Sequence, residues 1–257
     1  MNFKYILGYL ISAPLLPLLY LQGKKLRRSI PKLPYAEGDS GVFLAEDQSS
    51  DQPLKILAIG ESTIAGIGVE THEEGFAGTL GKELSILFQR DVHWKVYARG
   101  GYAVQQITQQ IIPKITESNA DILIIGIGGN DAFKLSSPEK WRQDVTHLID
   151  SLRTKFPNTT IMFCNMPPIK EFPAFTSLMK FVIGNRVEIL GEELDILVKN
   201  YKNVYYQNEK IVLDEWMQKL NKKASDFFSD GVHPSKLTYQ EWAKEMAVGI
   251  KKINFSG

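Results

Sequence analysis

The chain has 257 residues, 44% of them hydrophobic, enough to bury one good core of the size an α/β domain uses. Its 30 Lys and Arg nearly balance 29 Asp and Glu, and the formal net charge of +1 excludes a nucleic-acid surface built on bulk basicity. The single cysteine, Cys164, excludes an internal disulfide framework and a multi-cysteine zinc site; lying inside an apolar run, it reads as a buried core thiol.

Residues 6–21 are almost wholly apolar, broken by Ser12, Pro14 and Pro17. At about 16 residues the run is slightly short of the roughly 17–25 that span a bilayer as a helix. No small-residue cleavage pattern follows it, as a secretory signal would require. Lys24, Lys25, Arg27 and Arg28 come directly after it, whereas only Lys4 and the α-amino group precede it. That bias predicts an uncleaved anchor with the following domain on the cytoplasmic side. The prolines leave an interfacial or re-entrant segment open, and a buried core helix is the plainest alternative. Residues 1–28 are thus an anchor with a basic flank. Residues 29–53, rich in Pro, Gly, Ser, Asp and Glu with little periodicity, read as a linker, and 54–257 as the globular domain.

The domain opens with a strand at residues 55–60 (KILAIG), followed at once by Gly60-Glu61-Ser62. Phe76, Leu80, Leu84 and Leu87 then recur at helical spacing. A second strand, 92–98 (VHWKVYA), leads to Gly100-Gly101, and a third, 121–126 (DILIIG), to Gly128-Gly129-Asn130-Asp131. Trp141, Val145, Leu148, Leu152 and Phe156 mark a second helix. A fourth strand, 160–165 (TIMFCN), precedes the aromatic-rich stretch Phe172, Phe175, Leu178, Met179 and Phe181, which reads as the core face of a helix or as an acyl-pocket wall. A weaker fifth strand covers 203–207 (NVYYQ). Asp230-Gly231-Val232-His233-Pro234 comes just before a last helix carrying Tyr239, Trp242, Met246, Val248 and Ile250. Strands alternating with helices predict a parallel sheet covered on both faces, with ligands at the carboxyl ends of the strands, where these polar segments fall.

Their side chains are the set acyl transfer needs. Ser62 supplies a hydroxyl nucleophile at a strand-to-helix turn, with its own N–H available to an oxyanion; taken alone it reads equally as a helix N-cap. Asp230 and His233, three apart across a turn closed by proline, supply a base and the carboxylate that orients it, or else a solvated surface turn. A histidine base must be unprotonated, so activity is expected to fall on the acid side of neutrality. Asn130 offers an uncharged amide donor on a glycine loop, and Gly100-Gly101 a further backbone N–H. His93 and His147 sit at positions unsuited to the base, and His72, in a polar loop after the serine, is a possible lining residue. Position 64 is Ile, so Gly60-Glu61-Ser62 is no α/β-hydrolase elbow, and Gly66-Ile67-Gly68 lacks the third glycine of a dinucleotide fingerprint.

These segments resemble the sequence blocks of the SGNH hydrolases, also called GDSL esterases and lipases, from about Lys55 to the last helix. The resemblance implies that Ser62 is the nucleophile, that Asp230 and His233 complete a triad, and that Ser62, Gly101 and Asn130 form the oxyanion hole. Gly-x-Asn-Asp and Asp-x-x-His-Pro are intact, Glu61 stands where the family has Asp, and the approach to Gly101 departs from the usual Asn-x-Gly. The fold implied is a three-layer α/β/α sandwich around a five-stranded, mostly parallel, flavodoxin-like sheet, with no metal or organic cofactor. The activity implied is serine-dependent cleavage of a carboxylic ester, small-molecule or lipid-like. Rival readings are an acyltransferase of the same fold, a non-catalytic binding module that retains it, and a metallophosphoesterase suggested by Gly129-Asn130-Asp131, which lacks the upstream Asp-x-His that two metals need.

Overall fold

Alternating burial along the strands builds the two-faced core, and it follows from the period of two in extended chain. The computed structural model describes residues 13–46 and 52–253. In β2 (Leu54–Gly60), Leu57 and Ile59 enter one core while Leu54, Ile56 and Ala58 enter the other. β4 (Ile122–Gly126) repeats the pattern with Leu123 and Ile125 against Ile122 and Ile124. β5 (Thr160–Phe163) does so with Ile161 and Phe163 against Met162. A strand buried on both faces reads as an unbroken apolar run, which is why these three were legible as such.

Among the described residues the sheet has six strands in the order β1 (Ser40–Phe43), β3 (Val92–Ala98), β2, β4, β5 and β6 (Val204–Tyr206). The five predicted strands, β2 to β6, are all present and parallel to one another. Their order is the doubly wound arrangement expected, and it reverses direction between β2 and β4. The sixth strand is an addition: β1 (Ser40–Phe43), inside the stretch read as a linker, pairs antiparallel with β3 at the sheet edge. Half-exposed and four residues long, it carries no strong apolar pattern, and its pairing comes from the open edge of β3.

Helices cover both faces. α1 (Leu16–Ser29), α3 (Val104–Gln110), α5 (Pro138–Lys155) and α6 (Ser177–Val198) lie on one, α2 (Phe76–Phe88), α7 (Leu213–Leu220) and α8 (Lys236–Lys252) on the other, and the short α4 (Gly129–Phe133) follows β4. Residues 16–28 of the predicted anchor therefore lie in α1, and Leu19 is buried against the domain. The anchor's first part lies outside the described residues. Among the described residues no helix is long and apolar enough to cross a membrane.

β2 and β4 approach closely where the order reverses. A Cβ on Gly60 would collide with the carbonyl oxygen of Gly126, and one on Gly126 with the side chain of Ile64, so both strands end on glycine. Ser62 and Asn130 start from those two ends.

Candidate active site

Ser62 lies two residues past β2 in a run of turns that begins Glu61 O to Ala65 N (2.9 Å) and continues Ser62 O to Ile67 N (3.2 Å). The first helix after it starts only at Phe76, so Ser62 caps no helix. Among the described residues its side chain has no hydrogen-bond partner, and neither its backbone N–H nor that of Gly101 donates to another group. Gly100 is adjacent: a Cβ built on it would fall 3.7 Å from that of Ser62.

Asp230 and His233 sit on a loop closed by Ser229 N to His233 O at 2.9 Å and by the bridge between Phe228 and Pro234. Gly231 takes φ +83° there and rests on Ala174, a conformation few L-residues adopt. Asp230 Oδ1 accepts from Val232 N (2.9 Å) and His233 N (2.7 Å), while Oδ2 lies 2.7 Å from His233 Nδ1. The Asp230 side chain is fully buried and that of His233 is 22% exposed. Burial pushes the Asp230 carboxyl up, but the hydrogen bonds from the His233 ring and backbone outweigh it and hold its pKa below the ordinary value.

Ser62, Asn130 and His233 line one cavity, with Glu61 between the first two. Its remaining walls are mainly apolar: Phe133, Ile169 and Phe172 on one side, Leu213, Trp216 and Trp242 on the other. Asp230 stands behind His233, and Gly101 lies past Gly100, next to Ser62 but outside the lining. Among the described residues no hydrogen bond joins Ser62 Oγ to His233, although both line the cavity. The other histidines fall elsewhere: His93 and His147 are exposed, and His72 is buried behind Gly66, away from the lining. Of the aromatic stretch, Phe172, Phe175 and Met179 are buried, Leu178 is half-buried, and Phe181 is exposed. The walls from α7 were missed, although Leu213, Trp216 and Leu220 at spacings of three and four carry the signal.

The Glu61 carboxylate reaches across to the loop after β4. Oε1 accepts from Gly129 N (2.7 Å), and Oε2 from Asn130 N (2.9 Å) and from Asn130 Nδ2. The second N–H of that amide points to Tyr102 O at 3.1 Å. Burial raises the Glu61 pKa to about 7, against the pull of those N–H donors. Asp131, also buried and bonded to Val104 N, is pushed up to about 6. In the unfolded chain Glu61 ionises near 4.5, so between that pH and about 7 the native protein holds a proton the unfolded chain has released. The stabilisation is complete below the lower value and is lost as pH rises through the upper one. Unfolding free energy is therefore expected to fall across this window by up to about 3 kcal/mol from Glu61. Urea titrations at about pH 5 and about pH 8 should show a smaller fall in Glu61→Gln, with the Asp131 contribution remaining; equal falls would mean that Glu61 stays ionised throughout.

Comparison with known proteins agrees with this architecture. The model of the GDSL-like lipase/acylhydrolase family matches residues 58–241. No curated protein matches the chain. Among solved structures, a GDSL-like protein of Bacteroides ovatus is 21% identical over 79% of this chain, with a TM-score of 0.57, and the chain spans only 55% of that protein. A member of the lipolytic G-D-S-L family from Veillonella parvula is 16% identical over 77% of this chain and 98% of its own, with a TM-score of 0.58. The family 3 carbohydrate esterase of Clostridium thermocellum is 18% identical over 80% and 100%, with a TM-score of 0.57. Likeness at this level of identity is likeness of fold.

Proposed function

The chain belongs to the GDSL-like lipase/acylhydrolase family, and we propose that it cleaves carboxylic esters through an acyl-enzyme on Ser62. The observation that carries this reading is one cavity lined by Ser62, Asn130 and His233, with Asp230 Oδ2 2.7 Å from the far ring nitrogen of that histidine.

Ser62 Oγ attacks the ester carbonyl carbon while His233 Nε2 takes its proton, and Asp230 stabilises the imidazolium that forms. The carbonyl oxygen becomes an oxyanion that accepts from Ser62 N–H, from Gly101 N–H and from the Asn130 Nδ2 hydrogen that leaves Tyr102 O, the other staying on Glu61. When the tetrahedral adduct collapses, the C–O bond to the alcohol breaks and His233 gives its proton to the departing oxygen. A water then enters, loses a proton to His233 and attacks the acyl carbon, releasing the acid and restoring the serine. The apolar walls suit an apolar acyl group, which extends the substrate class to lipid-like esters. Labelling by a fluorophosphonate probe, lost in Ser62→Ala, tests the assignment; equal labelling of both proteins would overturn it.

Asn130→Ala is expected to lower kcat about 10²–10³-fold with little change in KM. Glu61 acts through that amide, because one carboxylate oxygen binds both its backbone and side-chain N–H. Glu61→Gln should therefore slow the native enzyme, yet change the Asn130→Ala variant less than about twofold. Full additivity in that double-mutant cycle would show that Glu61 works elsewhere.

The exposed Lys24, Lys25, Arg27 and Arg28 and the apolar segment before them support membrane association through the N-terminus, with the domain on the cytoplasmic side.

A further inference from the structure

We propose, on the ester-hydrolase reading above, that α1 is clamped to the hydrolase domain as an interfacial helix and seats the mouth of the Ser62 cavity against an anionic lipid surface. A flexible tether would let the domain range freely; the contacts of α1 instead fix one orientation.

The clamped stripe is specific. Leu19 is buried, and Leu16 and Leu26 pack on the same core as Met179 and Val182 of α6. Gln22 Oε1 accepts from Thr176 Oγ1 at 2.7 Å. Thr176 also caps α6, accepting from Met179 N at 3.2 Å. From there the route to the cavity is short. Phe175, next in the chain, meets Phe172 and Phe133 edge-on, with ring centres 5.2 and 5.6 Å apart, and both of those rings line the cavity. Phe133 is 40% exposed, which makes it an apolar rim.

The free surface of α1 is divided along its length. Leu18, Tyr20 and Leu21 are exposed in the first half, Lys24, Lys25, Arg27 and Arg28 in the second, and the helix contains no acid. Among the described residues none of the four cations has an ion-pair partner. Tilted in the interface so that its apolar half dips toward hydrocarbon and its cationic half stays at the phosphates, α1 matches a membrane surface, and the absence of acids selects anionic lipid. An acidic protein partner would match the charges and leave the apolar half in water. An ester resident in the bilayer would then reach Ser62 past Phe133 without crossing bulk solvent.

Flotation of the full chain with vesicles of phosphatidylcholine, alone or mixed with phosphatidylglycerol, tests this together with turnover of a soluble short-chain ester and of a lipid ester held in the vesicles. Binding should need the anionic lipid and fall about tenfold or more in high salt or when Lys24, Lys25, Arg27 and Arg28 are changed to Gln, with soluble-ester turnover unchanged. Gln22→Ala, and separately Leu19→Ala, should still bind the vesicles and cleave the soluble ester, but lose about tenfold on the vesicle-held ester. The exposed Gln22 bond makes the first variant safe for folding. Failure of the full chain to float, equal binding to both vesicle types, or undiminished vesicle-ester turnover in both clamp variants would overturn the proposal. Loss of soluble-ester turnover in the native chain would instead strike the hydrolase reading, independently of flotation.

Discussion

Ser62→Ala is expected to lower kcat/KM for a soluble ester by about 10⁴-fold or more while leaving the thermal midpoint within a few degrees of the native protein. The two halves of that result rest on different observations. The loss of rate follows because the hydroxyl oxygen is the atom that forms the covalent bond, and among the described residues no other serine lines the cavity. The unchanged stability follows because Ser62 caps no helix, is only half-buried and has no side-chain partner among the described residues. Its removal leaves no buried donor or acceptor unsatisfied, which is the usual source of large destabilisation. Residual activity above the uncatalysed rate should persist, since the oxyanion donors and the apolar walls remain. Steady-state kinetics on a chromogenic ester, paired with a thermal scan, checks both halves. A variant that keeps a tenth of native turnover would mean that the ester is attacked by something other than Ser62.

The difference between what the chain disclosed and what it concealed has a physical pattern. β2, β4 and β5 were readable because both of their faces are buried, so selection for apolarity acts on every position. Ser62 and Asn130 were readable because polar residues directly after such strands have few structural reasons to be there, and His233 because Asp230 stands three residues before it across a proline-closed turn; the fold brings Ser62, Asn130 and His233 to one cavity. β1 was hidden because an edge strand of four residues is held by backbone pairing with β3, to which side-chain pattern contributes little. The docking of α1 was hidden because Leu19, inside a longer apolar run, looks the same whether it meets protein or lipid, and Leu26 stands alone among four cations. Glu61 was visible as a departure, but what its longer side chain touches depends on the position of a loop that starts 68 residues later. Contacts of that separation are set by topology.

Asp230→Asn should be nearly as damaging as loss of the nucleophile, about 10⁴-fold in kcat near neutral pH, with the fold intact. The substitution keeps shape and removes charge, so its effect depends on which way the new amide faces. The position of Asp230 Oδ1 is fixed as an acceptor, because Val232 N and His233 N both donate to it. An amide nitrogen placed there would confront two N–H groups in a fully buried site. The carbonyl oxygen of the asparagine must take that place, which leaves its NH₂ group 2.7 Å from His233 Nδ1. Nδ1 is then forced to accept, and the ring carries its proton on Nε2, the nitrogen that has to receive the Ser62 proton. The imidazolium also loses its counter-charge. Activity should recover partly as pH rises and the serine deprotonates without help from the ring, so the native and variant pH profiles should converge toward alkaline pH. A variant with native kcat near neutral pH would show that His233 does not depend on Asp230 for its tautomer and would remove the triad from this mechanism.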